Sequence, residues 1–159
     1  MPIPDFIVQL RSKVGHDPLW LIGCSAVIVR HQAGRRQVLL VRRSDNGRWT
    51  PVTGIVDPGE DPHTAAVREA SEEACVRVRV DRLVWVSVTD PVTYENGDIT
   101  QYLDHTFACT WESGEPAVGD DENTEAGFFY VDELPDLSEW HRQRVEYVLS
   151  GATAVRLGR

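Results

Sequence analysis

Cysteine is scarce in this chain, and the few residues present form no pattern. Of 159 residues only three are cysteine, at positions 24, 75 and 109, an odd number with no C-x-x-C pair. That argues against a disulfide framework and against a zinc site. It leaves the reduced thiols of a cytoplasmic protein as the expectation. Long apolar runs are also missing. No segment reaches the roughly 20 apolar residues of a membrane span. Residues 1–15 place Phe6, Ile7, Leu10 and Val14 at near-helical spacing among Asp5, Arg11 and Lys13, so a short amphipathic helix over about 4–14 is expected there and not a secretory leader. Positive charge is in deficit too: 16 Lys and Arg stand against 25 Asp and Glu, a net charge of −9. A general nucleic-acid-binding surface is thereby disfavoured, because its affinity comes from basic residues meeting phosphates. A small polyphosphate remains open, since a metal bridges two anions. Internal repeats and linkers are absent. With 42% hydrophobic and 26% charged residues, a single domain over 1–159 with a substantial core is expected.

What the chain does have is concentrated in residues 54–76, GIVDPGEDPHTAAVREASEEACV. Asp61 and Pro62 read as a helix start, a capping carboxylate followed by proline where no N–H is needed. On a helix running from there to about Cys75, Glu69, Glu72 and Glu73 share one face at i, i+3 and i+4. Val67, Ala70 and Ala74 are expected on the opposite side, against a sheet. Like charges so spaced cost about 0.2–0.5 kcal/mol per pair, and a hard divalent cation seeking oxygen ligands offsets that cost.

This stretch resembles the Nudix hydrolase signature, G-x5-E-x7-R-E-U-x-E-E-x-G-U, where U is a bulky aliphatic residue. Gly54, Glu60, Arg68, Glu69, Glu72, Glu73 and Val76 match it. Ala70 stands where a bulky aliphatic is usual, which points to closer packing of helix on sheet. Cys75 stands where a glycine is usual, which removes the residue best suited to a left-handed helix exit. Upstream, residues 49–54 (WTPVTG) resemble the family's W-x-x-P-G-G lead-in, with Val52 and Thr53 in place of the proline and first glycine.

The resemblance implies an α/β/α sandwich with a mixed β-sheet between helices, and the order of elements agrees. Strands are expected near 24–30, 37–42, 77–89 (with a break at Asp81–Arg82), 99–112 and 128–131. Loops fall at 44–47, 90–97 and 119–123. A last helix carries Trp140, Val145, Val148 and Leu149, and residues 151–159 are expected to fray. An α/β fold class follows.

Pyrophosphate cleavage brings water to a phosphorus surrounded by negative oxygens, so positioning and electrostatic stabilisation carry it. Mg²⁺ or Mn²⁺ suits that task. Glu69 and Glu73 are the first candidates for ligands, with Glu72 beside them. The resemblance adds the Gly54 backbone carbonyl as a further ligand, and makes Glu60 and Arg68 an ion pair that holds Glu69 in place. For the general base the choice stays open among Glu72, Glu122 and Glu125. Arg42, Arg43 and Arg48 are candidates for gripping phosphate, and Trp49 for contacting the substrate. Asp104 and His105 invite a base–orienter reading, but strand residues of this kind more often recognise substrate or face water. Ser25, Ser87 and the cysteines have no paired base, so nucleophilic catalysis is not supported. The expected function is metal-dependent hydrolysis of a pyrophosphate bond in a nucleoside diphosphate linked to another moiety. The alternative is a nucleotide-binding regulatory module with little turnover, against which the full set of carboxylates speaks. The resemblance leaves room for a homodimer.

Overall fold

The computed structural model describes residues 3–159. In chain order the elements are α1 (Asp5–Val14), β1 (Leu19–Gln32), β2 (Arg35–Arg43), β3 (Trp49–Thr50), β4 (Val52–Ile55), α2 (Pro62–Ala74), β5 (Arg77–Val88), β6 (Val92–Thr93), β7 (Ile99–Ser113), β8 (Asn123–Tyr130), α3 (Glu139–Leu149) and β9 (Arg156–Leu157). The strands join in one sheet in the order β3-β2-β1-β7-β5-β9, with β4 paired to β1, β6 to β7 and β8 to β2. The β1–β7 and β5–β9 pairs are parallel and the others antiparallel, so the sheet is mixed. Ala33 and Gly34, at φ 51° and 74°, make the tight turn between β1 and β2, the conformation that suits the twist of paired strands.

Strand alternation divides the core into two layers. Cys24, Ala26 and Ile28 of β1, Leu39 and Val41 of β2, and Phe107 and Cys109 of β7 pack with Ala65, Ala66, Ala70 and Ala74 of α2. The intervening residues Val27, Val38, Leu40 and Ala108 pack with Val145 and Val148 of α3. This is the α/β/α sandwich. Every apolar side chain that α2 buries is alanine, so Ala70 fits the close approach of helix to sheet.

Three local expectations are corrected. Val67 is exposed, and the buried face of α2 includes Glu69 and Glu73 along with the alanines. The break at Asp81–Arg82 is a register irregularity between Val80 and Arg82 within a continuous β5. The C-terminal residues do not fray. Strand β9 pairs with Trp85 and Val86, Trp85 Nε1 donates to the Gly158 carbonyl at 2.6 Å, and the Gly158 N–H donates to the Val86 carbonyl at 2.9 Å.

The exit of α2 runs through Cys75 in the left-handed region, at φ 57° and ψ 28°. Its N–H donates to the Ser71 carbonyl at 3.2 Å, and the Val76 N–H to that of Ala70 at 3.3 Å. Cysteine thus takes a conformation that costs a non-glycine residue about 1–2 kcal/mol. Cys75→Gly is expected to raise unfolding stability by about 1 kcal/mol and Cys75→Ala to leave it nearly unchanged, both read by urea denaturation. Equal stability of all three proteins would show that the turn is unstrained.

Candidate active site

Helix α2 begins at Pro62, with Asp61 as its N-cap. The Asp61 carboxylate caps nothing. The start is held by its carbonyl, which accepts the N–H groups of Thr64 and Ala65, each at 3.0 Å. Two turns later Glu69 meets the bare backbone of β4. A Cβ at position 54 would collide with the Glu69 carboxyl group, so only glycine admits this side chain between helix and sheet. Glu69 and Glu73 are 1% and 2% exposed, which is rare for carboxylates.

Arg68 organises the surroundings. Its Nε and Nη2 donate to the two Glu60 oxygens, both at 2.9 Å. Its Nη1 donates to Glu69 Oε1 at 2.8 Å and to Glu72 Oε2 at 3.1 Å, and Nη2 reaches the Ile55 carbonyl at 3.1 Å. Glu60 Oε2 also accepts the Asp57 N–H at 3.2 Å. One guanidinium therefore ties the loop before α2 to the helix and to β4. It holds the Glu60 carboxyl below the usual range.

The buried carboxylates respond in the other direction. Burial pushes Glu69 up to about 7 against the pull of Arg68. Burial, then the charges of Glu69, Glu122 and Asp120, push Glu73 up to about 9. Burial also raises Glu122.

The acidic loop comes to this cluster through the end of α2. The Ala117 and Gly119 N–H groups donate to the carbonyls of Ala74 and Glu73, each at 3.1 Å. A side chain on Gly119 would collide with the Glu72 carbonyl. This junction sets Asp120, Glu122 and the buried Asn123 beside Glu73. Gly119 and Asn123 were not singled out from the sequence. The only signal for them was their place at the two ends of the acidic run.

The remaining candidates divide. Glu125 lies on β8 in register with Arg42 and is ion-paired to it at 2.7 Å. Arg43 is held by Asp45, and Arg48 is exposed. Trp49 is half-buried, edge-on to Phe129 with ring centroids 4.9 Å apart, and packs on the α3-side core, so it is not an open platform for a base. Asp104 is buried and accepts from Ser25 Oγ and Thr106 Oγ1, each at 2.8 Å, beneath α3 and away from the α2 face. His105 Nδ1 lies 3.3 Å from the Gly23 carbonyl.

Glu69 Oε2 is buried with no hydrogen-bond partner. An orphaned carboxylate oxygen beside a second buried carboxylate is costly unless a cation satisfies both. This donor chemistry fits Mg²⁺ or Mn²⁺. Among the described residues no group of three His, Cys, Asp or Glu side chains converges to hold an ion.

The NUDIX domain model matches residues 22–148. This chain belongs to the Nudix family. Among its Nudix relatives, a MutT-like protein of Streptomyces ambofaciens is 38% identical over 43% of this chain and 43% of its own length. Dihydroneopterin triphosphate diphosphatase of Escherichia coli K12 is 31% identical over 62% of this chain and 61% of its own. The Nudix chain thus spans less than two thirds of the length of these curated relatives. Among solved structures, the MutT NUDIX hydrolase from Burkholderia pseudomallei superposes with a TM-score of 0.62 at 30% identity, covering 82% of this chain and 98% of that one. No helix among the described residues is long and apolar enough to cross a membrane.

Proposed function

We propose that this Nudix protein is a diphosphatase that hydrolyses a pyrophosphate bond in a nucleoside diphosphate linked to another moiety, by attack of water at phosphorus. The observation that carries the reading is the pair Glu69–Glu73: two buried carboxyl groups, of which Glu69 lies against the bare backbone of Gly54 and has an oxygen left unpartnered. Glu69, Glu73 and the Gly54 carbonyl would hold a divalent cation, with Glu72, here bonded to Arg68, beside them. When bound, Mg²⁺ or Mn²⁺ supplies Lewis-acid charge to the phosphates and lowers the pKa of water. Arg68, clamped on Glu60, keeps Glu69 in place. Glu122 is the group we assign to receive the proton of the attacking water, because burial raises its carboxyl toward a useful range and the Gly119 junction brings it to Glu73. Glu72 is the second candidate. Glu125, paired to Arg42, is third. Arg43 and Arg48 grip phosphate. The free thiols of Cys24, Cys75 and Cys109 suit a reducing cytoplasm.

The test is phosphate release from a panel of nucleoside triphosphates, dinucleoside polyphosphates and nucleotide sugars, with products resolved by mass. Turnover is expected only with Mg²⁺ or Mn²⁺ and is expected to vanish in excess chelator, because without the cation nothing at this face would neutralise the phosphates or lower the pKa of the attacking water. Full turnover in metal-free buffer sinks the proposal. Nucleotide binding with no product from any substrate favours a regulatory module instead.

A further inference from the structure

The fork of Arg43 is already filled. Its Nε and Nη2 donate to the two carboxylate oxygens of Asp45 at 3.0 and 2.8 Å, the bidentate geometry with which arginine also holds phosphate. A tight turn enforces this pairing. The Arg43 N–H donates to the Arg48 carbonyl at 2.9 Å, and the Gly47 N–H to the Arg43 carbonyl at 3.0 Å. The turn is docked on the acidic loop, since the Ser44 N–H and Oγ both donate to the Glu122 carbonyl at 2.8 Å. A register irregularity between Arg42 and Arg43 sets Arg43 opposite Asn123 of β8. The guanidinium is thereby held within the field of Glu122 and Glu73. Its neighbours differ. Arg42 is committed to Glu125 at 2.7 Å and to the Gly47 carbonyl at 3.0 Å, while the Arg48 guanidinium has no acidic partner among the described residues.

We propose that Asp45 is a built-in competitor for substrate phosphate, its carboxylate filling the Arg43 fork until a phosphate displaces it. The inference rests on the phosphate-cleaving reading above. The side chains of Arg43 and Asp45 are 29% and 50% exposed, so the displaced carboxylate returns to water at little cost. A substrate phosphate enters the fork only while Asp45 is away, so Asp45 lowers the affinity of every phosphate group that uses Arg43 by one common factor, set by the fraction of time the fork stands open. Terminal and bridging phosphates are affected alike: Asp45 sets the strength of binding at this fork and not the choice between them.

Steady-state kinetics on a nucleoside triphosphate and on a dinucleoside polyphosphate, for wild type, Asp45→Asn, Arg43→Lys and the double variant, test this. Asp45→Asn is expected to lower KM by about two- to fivefold, the equivalent of one exposed ion pair, to a similar extent for both compounds, with kcat nearly unchanged. Arg43→Lys is expected to raise KM and to erase the effect of Asp45→Asn, and Asp45→Glu to resemble wild type. Calorimetric titration with inorganic pyrophosphate reads the same competition without turnover: Asp45→Asn binds it more tightly. Unchanged KM and pyrophosphate affinity overturn the inference. So does weakening of both, which marks Asp45 as a mere support of the turn. An equal gain in the Arg43→Lys background also overturns it, since Asp45 then acts by general repulsion. If no compound is turned over the proposed function fails, and the pyrophosphate titration still decides the role of Asp45.

Discussion

Glu73→Gln is expected to reduce turnover by about 10²–10³-fold, the scale on which one lost charge-stabilising contact is felt at a reacting centre. It is also expected to weaken Mn²⁺ binding, because carboxylate oxygens are the donors hard cations prefer. The same change acts oppositely on the metal-free fold. Burial and neighbouring charge hold the Glu73 carboxyl up at about 9, while the unfolded chain restores its ordinary value near 4.5. A group whose folded pKa is raised contributes stability that is complete below the unfolded value and is lost as pH rises through the folded one. Metal-free wild type is therefore expected to lose stability between about pH 5 and pH 9, and Glu69, raised in the same direction, adds to the loss. Glutamine cannot ionise. The variant is expected to melt near wild type at pH 5 and above it at pH 8, in chelator. A Glu73→Gln protein that binds Mn²⁺ and turns over normally would refute the site.

Arg68→Ala has the second largest expected effect. The guanidinium reaches Glu60 twice, Glu69, Glu72 and the Ile55 carbonyl. Its loss leaves Glu69 without its nearest counter-charge and frees the loop before α2. Breaking a fully buried pair costs about 3–5 kcal/mol. Arg68 is a quarter exposed, so solvent screens part of this, and about 1–3 kcal/mol is expected from a protein that stays folded. Activity is expected to fall about 10²-fold, because a small displacement of positioned groups is enough to cost that much. Arg68→Lys keeps the charge but not the fork, so it is expected to recover stability more than rate. Near wild-type turnover in Arg68→Ala would remove the positioning role.

The parts of this site that the sequence made legible are those set by local spacing. Glu69, Glu72 and Glu73 lie within a turn or so of one another, and Arg68 follows Glu60 by a fixed interval, so helical geometry alone brings them together. The side on which they would lie was not legible. A helix wheel sends charges outward and Val67 inward. Glu69 turns inward because β4 presents no side chain at Gly54, a fact about an element distant from α2's own pattern. The left-handed exit at Cys75 was likewise open, because cysteine carries no preference for it. It is met by hydrogen bonds to Ser71 and Ala70, with Gly114 and Gly119 leaving room for the turn. The two layers of the core were readable from strand alternation. The tail was not: a two-residue parallel pairing leaves no periodic trace, and its partner lies about seventy residues earlier.

That tail bears on how copies of the chain meet. Strand β5 lies near one margin of the sheet, and a long straight margin is a template on which another chain can align its backbone. Here β9 covers Trp85 and Val86. The rest of β5 departs from its β7 register at Arg77/Val78, Val80/Arg82 and Leu83/Trp85 and displays Arg77, Arg79 and Asp81 to water. Kinks and charges of this kind discourage strand-to-strand stacking. Open-ended stacking of copies along this margin is thereby disfavoured.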